Sequence, residues 1–177
     1  RSGTRDPDLE AASGGATLWS HGNLVGVDLG GILILQENSI GCGDGVCNRP
    51  DDEGTRPAGS LTLDFDAPIE SFGLDLIDID NLTLEMGAIV FVGSLGTDVV
   101  SFADLLTSGQ VGDNSANRID PLMMQDIGIG DIQRVRVELG GSGALDNVQY
   151  TITPEPGTGS LLALGFVALS TLFRRSP

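Results

Sequence analysis

Carboxylates are the one chemically active group this chain carries in quantity. It holds 25 Asp and Glu against nine basic residues, all of them Arg, for a formal net charge of −16. Hard oxygen donors in that number suit a hard cation such as calcium, which takes six to eight oxygens. They also serve plain solubility, and the two readings stand side by side. Asp6 and Asp8 open the chain, and Asp146 with Asn147 opens its last apolar stretch. Together with backbone carbonyls these three aspartates form a candidate calcium site. Read as local structure instead, Asp6-Pro7-Asp8 is an Asx-type turn and Asp146 a turn-to-strand residue. The run Pro50-Asp51-Asp52-Glu53 brings adjacent carboxylates that need screening or a ligand, and as a solvated loop it needs neither.

A second group, Asp75, Asp78, Asp80 and Asn81, ends an apolar stretch. Asp78 and Asp80 share one face, and paired carboxylates are the apparatus of glycoside hydrolysis. One Trp and one Tyr offer little surface for stacking a sugar, and acidic residues recur on most apolar stretches. Charges that discourage edge-to-edge aggregation explain the pattern equally. His21 is the only His, no Lys is present, and no Gly-x-Ser-x-Gly elbow occurs. Schiff-base chemistry, the P-loop and multi-His metal sites are therefore excluded. The expectation is a protein that is not an enzyme, and one that repels nucleic acid. Cys42 and Cys47 flank a Gly-rich spacer. A pair cannot make a four-Cys zinc site; a local disulfide is the first reading, two buried thiols the other.

These groups must be positioned by short strands. Gly is abundant and aromatics scarce, so the core is Leu, Ile and Val between tight turns. Alternation in Leu61-Thr62-Leu63-Asp64-Phe65 and Val135-Arg136-Val137-Glu138-Leu139 marks half-buried strands, expected at 60–65 and 132–139. Ala88 to Val92 is nearly all apolar and fits a strand covered on both faces. Further strands are expected at 15–19, 31–36, 71–77, 82–86, 99–102 and 145–152. A short helix is expected at 102–106 with Ser101 as its cap. Residues 39–59 and 109–130 read as long connections. The expected fold is all-β: an antiparallel β-sandwich of the jelly-roll type over residues 1–152.

The remaining residues, 153–177, differ in kind. Pro154-Glu155-Pro156 is followed by an apolar run without charge to Phe173, then Arg174-Arg175. A helix over 157–173 spans about 25 Å, a little short of the roughly 30 Å hydrocarbon layer, and the arginines hold its end on the cytoplasmic side. A plain tail anchor fits these features. Their order, Pro-Glu-Pro then apolar helix then Arg pair, resembles the PEP-CTERM sorting tail of exported bacterial proteins. That resemblance implies processing by an exosortase near Pro154, Glu155 and Pro156, with Arg174 and Arg175 as the stop. It implies a transmembrane helix before processing, a final place at the cell surface or beyond, and association with exopolysaccharide or biofilm. The segments around Asp6-Pro7-Asp8, Pro50-Asp51-Asp52-Glu53, Gly112-Asp113-Asn114-Ser115 and Gly141 to Val148 resemble landmarks of bacterial surface β-sandwich proteins of unknown activity. The chain begins with Arg1, and its export signal is expected to have been removed or to lie outside this piece. Two other functions fit: a calcium-dependent lectin-like module using Trp19 and Tyr150 for stacking, and a secreted hydrolase.

Overall fold

The computed structural model describes residues 19–37, 39, 52 and 54–153, with the backbone alone at 42–43 and 46–47. The strands are β1 (Leu33–Ile34), β2 (Cys42–Gly43), β3 (Val46–Cys47), β4 (Gly59–Ile77), β5 (Ala88–Gly93), β6 (Gly96–Ser101), β7 (Ala116–Met123), β8 (Ile132–Leu139) and β9 (Ala144–Ile152). Two single-turn helices, α1 (Phe102–Leu105) and α2 (Met124–Ile127), follow β6 and β7. A seven-stranded sheet has the order β1-β9-β4-β8-β5-β6, with β7 also on β4, while β2 and β3 form a separate hairpin. All these strand pairings are antiparallel. The all-β antiparallel expectation therefore holds.

The organising element is β4, at 19 residues. Its first half pairs with β8 from Gly59↔Leu139 to Asp64↔Arg134, and pairing resumes only at Ile69↔Ile132. Its second half lies between β7 and β9. The gap contains Pro68, which has no N–H to give a ladder, and residues 66–68 are exposed. Straight, such a strand would measure roughly 60 Å. Yet Leu139 pairs with its first residue and Ala144 with its last. The chain from Leu139 to Ala144 spans at most about 20 Å, so β4 turns back at the gap and brings its two halves over one another.

Burial follows from that turn. Leu61, Leu63 and Phe65 face the core and Thr62, Asp64 and Asp66 face water, as the alternation predicts. Residues 71–77 lose both faces to solvent exclusion. Val135, Val137 and Leu139 point inward, with Arg134 and Arg136 outward. Phe72 and Phe91 meet edge to face with centroids 6.1 Å apart at the centre of the core. Gly73 sits at a break in the β4–β7 register, and a Cβ there would stand 2.7 Å from the Ile119 carbonyl oxygen. Only glycine permits that approach.

Three expectations are corrected. Residues 82–86 are a turn, because Asn81 Oδ1 accepts from the N–H groups of Thr83 (2.8 Å) and Leu84 (3.1 Å) and so bends the chain. The apolar spacing Leu82, Leu84, Met86 imitated a strand, and Leu84 and Met86 are exposed. Within the supposed connection 109–130 lie β7 and α2. The stretches 60–65 and 71–77 are one strand. The α1 expectation is met by a capping box in which the Ser101 hydroxyl accepts from Asp104 N–H and the Asp104 carboxylate accepts from Ser101 N–H.

The β5–β6 hairpin turn is clamped by Asp131, whose Oδ1 accepts from Ser94 N–H at 2.7 Å. A Cβ on Gly93 would collide with the backbone of Ile129 and Asp131. Hydrogen bonds from the Ser94 hydroxyl first, then from Ser94 N–H and Gln133, lower the Asp131 carboxyl to about 2. A lowered folded-state value adds stability that is complete above the unfolded value near 4 and vanishes as pH falls through about 2. Thermal melts of Asp131→Asn should therefore lie below wild type at neutral pH and converge with it between about pH 4 and pH 2. A constant gap across that window would remove the clamp from the account.

Candidate functional site

Where β4 ends, the chain must leave a buried sheet, and polar groups accumulate. Asp78 is buried with a φ of 54°, in the left-handed region. Its N–H donates to the Ser115 carbonyl at 2.7 Å, and its Oδ1 accepts from Asn114 N–H at 2.9 Å. Ser115 Oγ accepts from Ile79 N–H at 3.1 Å, and Gly112 N–H donates to the Ile79 carbonyl at 2.9 Å. The exit of β4 is thereby stitched to the entry of β7. This stitching brings Asp78, Asp80 and Asp113 together, with carboxylate oxygens within 4.8 Å of one another. Asp80 and Asp113 are exposed. Around the rim, Asp80 N–H donates to Glu85 Oε2 at 3.1 Å, and His21 Nδ1 lies 3.2 Å from the Asp113 carbonyl oxygen.

Three like charges so close repel one another. The arrangement suits a hard cation, completed by carbonyls and water. It suits an acid/base pair less, since Asp78 is tied to backbone N–H and the third carboxylate crowds the other two. The pairing of Asp78 with Asp80 was visible in the sequence. Asp113 was not, because it comes from the connection whose strand went unrecognised.

The other sequence candidates are placed as follows. Asp6, Asp8, Pro154, Glu155, Pro156, Arg174 and Arg175 lie outside the described residues, as does the expected helix 157–173. Among the described residues no helix is long and apolar enough to cross a membrane. Asp146 stands on β9 as the cross-strand partner of Asp75 on β4, and Asp75 in turn faces Arg118 on β7. Arg118 grips Asp75 with both prongs, Nε to Oδ1 at 2.9 Å and Nη2 to Oδ2 at 2.8 Å. That bond raises the Arg118 guanidinium above its ordinary value, helped by the charges of Asp75, Asp120 and Asp146. Asp146 therefore sits in the field of an arginine.

Of the acidic run at 50–53 only Asp52 is described, and it is a buried structural group rather than part of a solvated loop. Its carboxylate accepts from Gly143 N–H, so it anchors the turn between β8 and β9. Glu85 is likewise buried, with Oε1 accepting from Arg56 Nη2 at 3.0 Å. Trp19 is only 2% exposed, packed with Leu24, Ile77, Ala116 and Ala144. It cannot stack a sugar, which corrects that part of the lectin expectation. Tyr150 is half exposed and rests edge-on against Phe65, with centroids 5.1 Å apart. The backbones of Cys42 and Cys47 are direct partners across the β2–β3 hairpin. Their side chains, and with them the disulfide, lie outside the described residues.

Compared with protein-family models, with curated proteins and with solved structures, the chain matches none.

Proposed function

We infer that this chain is an exported, non-enzymatic surface or extracellular-matrix protein, delivered by its C-terminal tail and associated with exopolysaccharide or biofilm. One observation carries the reading. Immediately after β9 ends at Ile152 come Pro154-Glu155-Pro156, an uncharged apolar run and Arg174-Arg175. An uncharged run of that length favours lipid, and the arginines fix its sense, so the body lies outside the cytosol. The tail's likeness to PEP-CTERM sequences makes an exosortase the processing partner. The folding-over of β4 supports a two-layer sandwich for the body, and a jelly roll is the proposed form of it. The carboxylates Asp52, Asp75 and Glu85 each hold a backbone turn or an arginine, which gives them structural work in place of catalysis.

Deleting the chain from Pro154 onward in the native host should leave a folded body that is no longer retained in the envelope. Intact-mass analysis of the mature full-length product should then show cleavage near Pro154-Glu155-Pro156. It should also show a body lighter by two hydrogens, from a Cys42–Cys47 disulfide. Directly opposed cysteines on an antiparallel hairpin have Cα atoms about 4.5–5.5 Å apart, within disulfide range. Unchanged localisation of the truncated chain would overturn the sorting role.

A second reading, calcium-dependent carbohydrate binding, is favoured by the cluster of Asp78, Asp80 and Asp113. Calcium should raise the melting temperature by several degrees and chelator should reverse it, because a ligand bound only by the folded state stabilises it. The variant Asp80→Asn with Asp113→Asn keeps the Asp78 bonds to β7 and should lose the shift. Identical melts with calcium and chelator would eliminate this reading. A secreted hydrolase stays the third, to be recognised by turnover of a glycan that Asp80→Asn abolishes.

A further inference from the structure

The main path of the sheet ends in β1 and β6, but β1 is only two residues long and leaves most of the outer side of its neighbour β9 unpaired among the described residues. β1 covers that side only at Ala144 and Leu145. Asn147 takes a φ of 46° and breaks the pairing register. Beyond it, among the described residues, no strand pairs with the outer side of residues 148–152. Natural edges are blunted by charge, by proline or by a cover. The entry of β7 is covered in this way, since Ser20 and Leu24 donate to the carbonyls of Asn114 and Ala116, and its far half carries Asp120-Pro121. The opposite sheet edge, β6, carries Asp98. Val148-Gln149-Tyr150-Thr151-Ile152 carries no charge and no proline, in a chain of net charge −16. Its apolar side chains are exposed by 36% at Val148, 51% at Tyr150 and 57% at Ile152.

The order of residues in this segment is symmetric about its centre: β-branched, polar, aromatic, polar, β-branched. An antiparallel copy centred on Tyr150 sets Tyr150 against Tyr150 and Val148 against Ile152 on one face, with Gln149 against Thr151 on the other. Aromatic and β-branched cross-strand pairs are the favourable ones, and a self-complementary edge is what a two-fold interface requires. Charge selects the same occupant. Two strongly acidic copies repel through most of their surface, whereas residues 148–152 themselves bring no carboxylate to the seam. The Tyr150 ring is already seated against Phe65, so little ordering is needed. We propose that residues 148–152 of β9 form a homodimer edge, joining the sheets of two copies of this chain through antiparallel β9–β9 pairing.

A five-residue edge is a small interface, so the dimer is weak and fills with concentration. The test is sedimentation velocity of the full chain in a mild detergent that takes up the apolar run, from about 1 to about 500 µM. Wild type should shift from monomer to dimer across that range. Val148→Lys with Ile152→Lys should stay monomeric. Lysine lowers the net negative charge, so any general charge effect would act in the opposite direction. Val99→Lys, on the exposed face of β6, should dimerise as wild type does. Hydrogen exchange on wild type gives a reading that needs no variant: the amides of 148–152 should exchange severalfold more slowly at the high concentration than at the low. Wild type that stays monomeric, a double variant that still dimerises, loss of dimer in Val99→Lys, or concentration-independent exchange would each overturn the proposal.

Discussion

Arg118→Met should destabilise the fold by about 3–5 kcal/mol, because it strands a carboxylate where water cannot reach it. Asp75 is wholly buried near the end of β4, and Arg118 binds both of its oxygens. Arg118 is partly exposed, so its own loss of solvation is small, and the damage falls on the acid left behind. Asp75→Leu in the same chain should recover much of the loss, since apolar replacement of a buried ion pair is often neutral. The surface pair Arg134–Asp64, with both side chains more than half exposed, supplies the contrast. Arg134→Met should cost under about 1 kcal/mol. Denaturant melts of these variants decide the matter, and an Arg118→Met deficit no larger than that of Arg134→Met would refute the account.

Phe72→Ala should cost a similar amount, about 3–5 kcal/mol, for a different reason. Phe72 is fully buried where the two halves of β4 close over the core. Its ring meets Phe91 on one side and Phe65, at 6.4 Å, on the other. The loss combines transfer free energy with an unfilled cavity, plus two edge-to-face contacts worth about 0.5–1.5 kcal/mol each. Phe72→Leu, which keeps most of the volume, should lose appreciably less. Equal losses for the alanine and leucine variants would show that the site relaxes and that the rings do not anchor the core.

Period-two patterning made Leu61 to Phe65, Ala88 to Val92 and Val135 to Leu139 legible, because each buries alternate or consecutive residues against the same core. Ser101 was legible because capping is local chemistry. What could not be read depended on distant partners. β7 contains Asp120-Pro121 and little alternation, and it is a strand because the buried half of β4 offers it a ladder. Leu82, Leu84 and Met86 have the spacing of a strand but no partner, and the Asn81 side chain claims their backbone. Asp78 and Asp80 could be paired from sequence, whereas Asp113 joins them only through the bonds of Ser115 and Asn114 to β4. Trp19, the stacking residue of the lectin-like alternative, is instead packed with Ala116 and Ala144, partners far off in the chain.

The placement of β4 also fixes when the body can close during synthesis. The strand that everything else leans on is made early, and the three that flank it emerge last, with β9 ending at Ile152. Contacts that span so much of the chain form late and slowly. A ribosome still holding β9 withholds the partner that residues 69–77 of β4 need on one side, so the nascent body stays open there. Closure of the body therefore waits for the final strand to clear the exit.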